Sequence, residues 1–132
     1  MHIDHIGIAV ENIEEAIKKY ESLLNTPCFK REIVESENVE TAFFQTGESK
    51  VELLAGTTPD SVISKYVAKR GEGMHHVAFE VDDIKGEIQR YILHGYQMLS
   101  ESPKQGVDQK LIVFLHPKEA HGVLIELCQS VK

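Results

Sequence analysis

Tryptophan is absent from this 132-residue chain, cysteine occurs only as Cys28 and Cys128, and proline occurs four times. Two cysteines cannot build the disulfide framework of a small secreted domain, so a reducing, cytoplasmic setting is expected. No apolar run nears the roughly 20 residues that span a bilayer, so no membrane-embedded protein is expected. The opening Met1-His2-Ile3-Asp4-His5 carries neither a basic n-region nor an apolar h-region, and no signal peptide is expected. Positive charge is scarce as well: 14 lysines and arginines face 21 acidic residues, for a net charge of −7. Without a basic stripe, neither nucleic acid nor an anionic membrane is an expected partner. What is present is ordinary. A hydrophobic share of 42% with 27% charged residues suits one folded domain of this length, not a disordered chain.

The chain repeats itself. Asp4-His5-Ile6-Gly7-Ile8-Ala9-Val10-Glu11-Asn12-Ile13 matches His75-His76-Val77-Ala78-Phe79-Glu80-Val81-Asp82-Asp83-Ile84, 71 residues later. Ile17 then falls on Ile88 and Tyr20 on Tyr91, and Val51-Glu52-Leu53 is echoed by Ile125-Glu126-Leu127. Two similar halves therefore share one domain: module 1 over about 1–58, a linker helix over about 60–70, and module 2 over about 72–132.

Each half opens with a strand, 3–10 and 75–81, whose apolar residues alternate with period two. Asn12, with Glu15 three residues on, reads as a capping box for a helix over 13–24. Asp83 reads as the equivalent cap for a helix that stops at Gly95. Short β-like runs follow at 29–35, 39–46 and 49–55 in the first half, with Gly47 at the tight turn, and near 96–100, 109–115 and 122–128 in the second. Asp60 is expected to cap the linker helix over 61–69. The order is βαβββ twice, an α+β fold.

Pleat geometry sorts the side chains. His5 shares a face with Gly7 and Ala9, and His76 with Ala78, leaving small neighbours beside each imidazole. His75 falls on the branched face and reads as structural. Glu52 and Glu126 each interrupt an apolar run, where a carboxylate is costly to bury unless paired or metal-bound. Taken singly, such a histidine is as well read as a satisfied polar residue and such a glutamate as solvent-facing; the repeat favours the joint reading. Two imidazoles and two carboxylates without thiolate suit Zn²⁺, Co²⁺, Ni²⁺ or Mn²⁺. Cys128 reads as a small packed hydrophobe, Met74, Met98 and Phe79 as core, and His2, His94 and His121 as surface or turn residues. Lys65, Lys69 and Arg70 read as a solvated face.

The stretches Ile3–Val10, Gly73–Ile84, Phe114–Lys118 and Gly122–Leu127 resemble the vicinal oxygen chelate superfamily (glyoxalase, bleomycin resistance, dioxygenase) and, within it, the methylmalonyl-CoA epimerases. The resemblance runs over nearly the whole chain. It implies paired βαβββ modules forming one cupped mixed sheet around a metal site, and commonly a homodimer. It implies one divalent ion per chain, held by His5, Glu52, His76 and Glu126, and an acyl-CoA substrate. The implied reaction interconverts (R)- and (S)-methylmalonyl-CoA by C2 proton transfer through a metal-stabilised enolate. Glu126 and Glu40 are the implied catalytic acid/base pair, and Lys118 is a candidate for a coenzyme A phosphate. Some epimerases carry glutamine at the position of Glu52, whereas glutamate there is the arrangement of glyoxalase I. A lactoylglutathione lyase, with Glu52 as second base, and a non-catalytic binding protein are therefore the alternatives.

Overall fold

The computed structural model describes residues 1–131. Its elements run β1 (His2–Ala9), α1 (Ile13–Leu24), β2 (Lys30–Val34), β3 (Val39–Thr46), β4 (Ser49–Gly56), α2 (Val62–Arg70), β5 (Gly73–Glu80), α3 (Ile84–Leu93), β6 (Lys104–Gln105), β7 (Lys110–Leu115) and β8 (Ile125–Ser130). Leaving α2 aside, this is βαβββ twice. The chain forms two compact units, one of His5–His75 and one of Met1–Asp4 together with His76 onward.

In the His5–His75 unit the strands lie in the order β2-β3-β4-β1. β1 runs parallel to β4, and β2, β3 and β4 are antiparallel neighbours. The β3–β4 hairpin closes over Gly47-Glu48, where the positive φ of Gly47 (68°) suits a two-residue turn. Asn12 accepts the Glu15 amide and starts α1 as the spacing predicts, and Asn25 ends it in the left-handed conformation. One face of the sheet carries Val10, Ala42, Phe44, Leu53 and Ala55, and α1 closes over it with Ile13, Ile17, Tyr20 and Leu24. On the other face α2 lays Ile63 and Val67 over Ala9, Val39 and Leu54. Ser61, not Asp60, caps α2: its hydroxyl accepts the Ser64 amide. The Asp60 carboxylate is instead taken by the Thr58 hydroxyl at 2.6 Å, which holds it below the usual carboxylate range.

In the other unit the order is β5-β8-β7-β6, with β5 parallel to β8. Asp83 caps α3 as expected, and Ile84 and Ile88 pack on Val81, Val113 and Leu127. Two strands move from their expected places. Around 96–100 only Met98 bridges to Leu115, because the Ser100 hydroxyl accepts the Ser102 amide and turns the chain ahead of Pro103; the ladder resumes at Lys104. β8 starts at Ile125 rather than 122, since His121 and Gly122 adopt positive φ and the Val123 amide is spent on Ala120. Met98 and Phe79 pack against this core, but Met74 is exposed. His2, His94 and His121 are exposed, as are Lys65, Lys69 and Arg70.

Candidate metal and active site

Strand register decides which side chains share a face. In the His5–His75 unit, Gly7 lies opposite Glu52 and Glu52 opposite Phe43, so His5, Gly7, Glu52 and Phe43 face the same way. His5 and Glu52 are buried, at 3% and 2% exposure, and His5 Nε2 stands 3.3 Å from Glu52 Oε1. The second unit repeats the arrangement. Ala78 lies opposite Glu126 and Glu126 opposite Phe114, placing His76, Ala78, Glu126 and Phe114 on one face. His76 and Glu126 are 4% and 5% exposed, with 3.4 Å between His76 Nε2 and Glu126 Oε1. The Phe114 ring meets the His76 ring edge-on at 6.2 Å.

Both separations suit a shared ion. Two ligands about 2.1 Å from one metal, at angles between octahedral and tetrahedral, stand about 3.0–3.4 Å apart. Nitrogen and carboxylate oxygen without thiolate is a donor set for Zn²⁺, Co²⁺, Ni²⁺ or Mn²⁺. The residue opposite each glutamate is small, Gly7 and Ala78, and both are buried. Ala9, which the sequence places on the same face as His5 and Gly7, lies beneath α2 and is fully buried.

Glu40 does not belong to this face. It pairs with Ala55 and Ile33 and is three residues from Phe43, so it points to the side that α1 covers, away from Glu52. Its neighbour in the pleat is Ala42, as expected, but Ala42 is core beneath α1. Arg31 holds the Glu40 carboxylate through Nε (3.0 Å) and Nη2 (2.6 Å) and reaches Glu14 of α1 at 2.6 Å. Hydrogen bonds to these two carboxylates hold the guanidinium above its ordinary value. Glu40 is thus one arm of a helix-to-sheet ion pair. His75 packs edge-on against Tyr66 at 4.8 Å, a structural position. Lys118 is exposed on a 3-10 turn over Pro117–Ala120, and its backbone amide donates to His116 Nδ1.

Sequence reasoning passed over a second polar cluster, in the unit that holds β5. Lys110 is 7% exposed, and its ammonium meets Glu80 Oε1 at 2.5 Å, Ser130 Oγ at 3.0 Å and Asp4 Oδ1 at 3.5 Å. Burial pulls the lysine pKa down, but the Glu80 hydrogen bond and the Asp4 charge outweigh it and the net shift is upward. Asp4, Glu80 and Cys128 each offer a ligand atom within 4.8 Å of the others, yet the ammonium already balances the two carboxylates. Burial first, then the Asp4 and Glu126 charges, push the Cys128 thiol up, which keeps it protonated and inert. The visible signal was a lysine opening the apolar run Lys110–Leu115.

Comparison with known proteins agrees with this architecture. The family model of the Glyoxalase/Bleomycin resistance protein/Dioxygenase superfamily matches residues 4–114. A Bacillus subtilis protein, YqjC, is 39% identical over 96% of this chain and 91% of its own. Human mitochondrial methylmalonyl-CoA epimerase is 34% identical over 97% of this chain and 73% of its own. A variant of Streptomyces coelicolor methylmalonyl-CoA epimerase, solved in complex with 2-nitronate-propionyl-CoA, superposes with a TM-score of 0.94 at 35% identity, covering 99% of this chain and 95% of that one. The tandem βαβββ modules are those of the expected vicinal oxygen chelate fold, and with a family match spanning most of its length this chain belongs to the Glyoxalase/Bleomycin resistance protein/Dioxygenase superfamily.

Proposed function

We propose that this protein is a methylmalonyl-CoA epimerase, with His5, Glu52, His76 and Glu126 together holding one divalent ion. The observation that carries the reading is the duplicated pair: a buried histidine 3.3 or 3.4 Å from a buried glutamate at equivalent places in both modules. Relatives named for this activity cover nearly the whole chain and support it.

In the substrate, the C2 hydrogen is acidified by the flanking thioester and carboxylate. His5, Glu52, His76 and Glu126 would hold the divalent ion, which would supply Lewis-acid charge to offset the negative charge that develops on the enolate. The chain's own residues handle the proton. Epimerisation removes it from one face of C2 and returns one to the other, which calls for two carboxylates within hydrogen-bonding reach. Glu126 takes one role. Since Glu40 lies on the helix-covered face, the partner is Glu52, which the register places beside Gly7. Lys118 is the candidate for a coenzyme A phosphate, and a homodimer in the cytoplasm is the expected setting.

The test is incubation of metal-loaded protein with methylmalonyl-CoA in D₂O, following C2 by NMR, beside an ultraviolet assay with methylglyoxal and a thiol. Enzyme-dependent deuterium uptake with loss of optical purity is expected. Turnover of the hemithioacetal alone would transfer the assignment to a lactoylglutathione lyase. Silence in both assays, with ligands still bound, would favour a non-catalytic binding protein.

A further inference from the structure

Asp4, in β1, is only 4% exposed. It directly precedes His5. The Lys110 ammonium donates to Glu80 Oε1 and Ser130 Oγ and forms an ion pair with Asp4 Oδ1 at 3.5 Å. Glu80 is itself fixed, since its other oxygen accepts the Ser130 backbone amide at 3.0 Å. β5, β7 and β8 thus converge on the carboxylate at the start of β1. A buried ion network is a weak stabiliser compared with apolar packing, but its geometry is directional. Successive side chains of a strand point to opposite faces, so fixing the Asp4 carboxylate also fixes how the backbone presents the His5 imidazole.

We infer that Lys110, by gathering Asp4 and Glu80, is a positioning residue that sets His5 in its metal-binding orientation before the ion arrives. The inference rests on the assignment of His5 as a metal ligand, and its test separates the two. The full-length protein is compared with Lys110→Met, Asp4→Asn, the triple variant Asp4→Asn/Glu80→Gln/Lys110→Met, and His5→Ala. Amide hydrogen exchange at residues 3–6 is read in the metal-free state, and Co²⁺ affinity and visible spectrum are read by titration. The triple variant leaves no buried charge unpaired and should recover most of the melting temperature that Lys110→Met loses. Exchange at residues 3–6 should nevertheless stay roughly tenfold faster than in the parent. Co²⁺ should bind roughly 10–100-fold more weakly, with an altered spectrum. A purely structural cluster would recover stability, exchange and affinity together, and that result overturns the inference. Should the triple variant not fold, the near-isosteric Asp4→Asn carries the same comparison: faster exchange and weaker Co²⁺ are expected, and parental values of both overturn it. If His5→Ala binds Co²⁺ like the parent, the ligand assignment fails, and the inference with it. If His5→Ala loses Co²⁺ while the triple variant binds as the parent does, only the positioning role fails.

Discussion

The two units carry the same face differently. By strand register, Ala9, Val39 and Leu54 in one correspond to Glu80, Lys110 and Cys128 in the other. The first trio is closed by Ile63 and Val67 of α2, a dry apolar contact. The second is closed by charge, with an ammonium between carboxylates. A few residues along the same strands the difference vanishes: His5–Glu52 and His76–Glu126 stand at 3.3 and 3.4 Å, each glutamate across the ladder from a phenylalanine. The equivalent His–Glu positions keep a common geometry. Positions that need only be covered accept either solution.

That contrast can be broken first at its identical part. His5→Ala and His76→Ala should each lose the bound ion and lower epimerisation by at least about a hundredfold, as removal of a direct ligand exceeds the 10–100-fold typical of outer-sphere changes. Metal analysis after dialysis and the NMR assay read this, with His75→Ala keeping its metal as the control. Unequal losses would show that the two pairs are not alike. Next, Lys110→Met removes the cation beside buried Asp4 and partly buried Glu80 and should cost about 3–5 kcal/mol in denaturant unfolding. The apolar counterpart Leu54→Ala should cost about 2–4 kcal/mol by opening a cavity under α2. If the two costs were reversed, the charged cover would be the less demanding one.

Alkaline titration gives a smaller, graded effect. The native state binds the Lys110 and Cys128 protons more tightly than the unfolded chain, so their contribution is fully present below the ordinary values and is lost as pH rises. Loss should begin above pH 9.0 through Cys128 and continue above 10.0 through Tyr91, whose phenol is also pushed up by burial, and above 10.5 through Lys110. In Cys128→Ala the onset should move from the first value to the second, and an unmoved onset would remove the thiol from the account. The smallest change belongs to Glu40→Gln. Its ion pair with the half-exposed Arg31 is worth at most about 1 kcal/mol, and epimerisation should continue at the parental rate. Loss of epimerisation with metal retained would place Glu40 at the substrate after all.

The repeat made the fold legible. Period-two runs, Asn12, Asp83 and the recurrence of His5 and Glu52 as His76 and Glu126 lie in plain view, because each signal is local. Glu40 faces away from Glu52 for a reason local patterns cannot show. Acid beside alanine describes either face of a strand, and only the pairing of Phe43 with Glu52 shows which face Glu40 takes. The strand expected at 96–100 failed because nothing in its apolar pattern reveals that Ser100 turns the chain. The Lys110 cluster needed the most distant information. Its members, Asp4, Glu80, Lys110 and Ser130, are scattered along the sequence, and each alone looks like an ordinary surface residue.

The boundary between the compact units falls inside β1, between Asp4 and His5, not at the midpoint of the repeat. One carboxylate at the chain's beginning therefore serves a lysine near its end. Had the halves once been separate polypeptides, this exchange would now bar their divorce. A fragment that starts at the second copy would leave the buried Lys110 without Asp4. Split-protein engineering should cut downstream of the shared residue and supply the first four residues to the other piece, as a circular permutation would do.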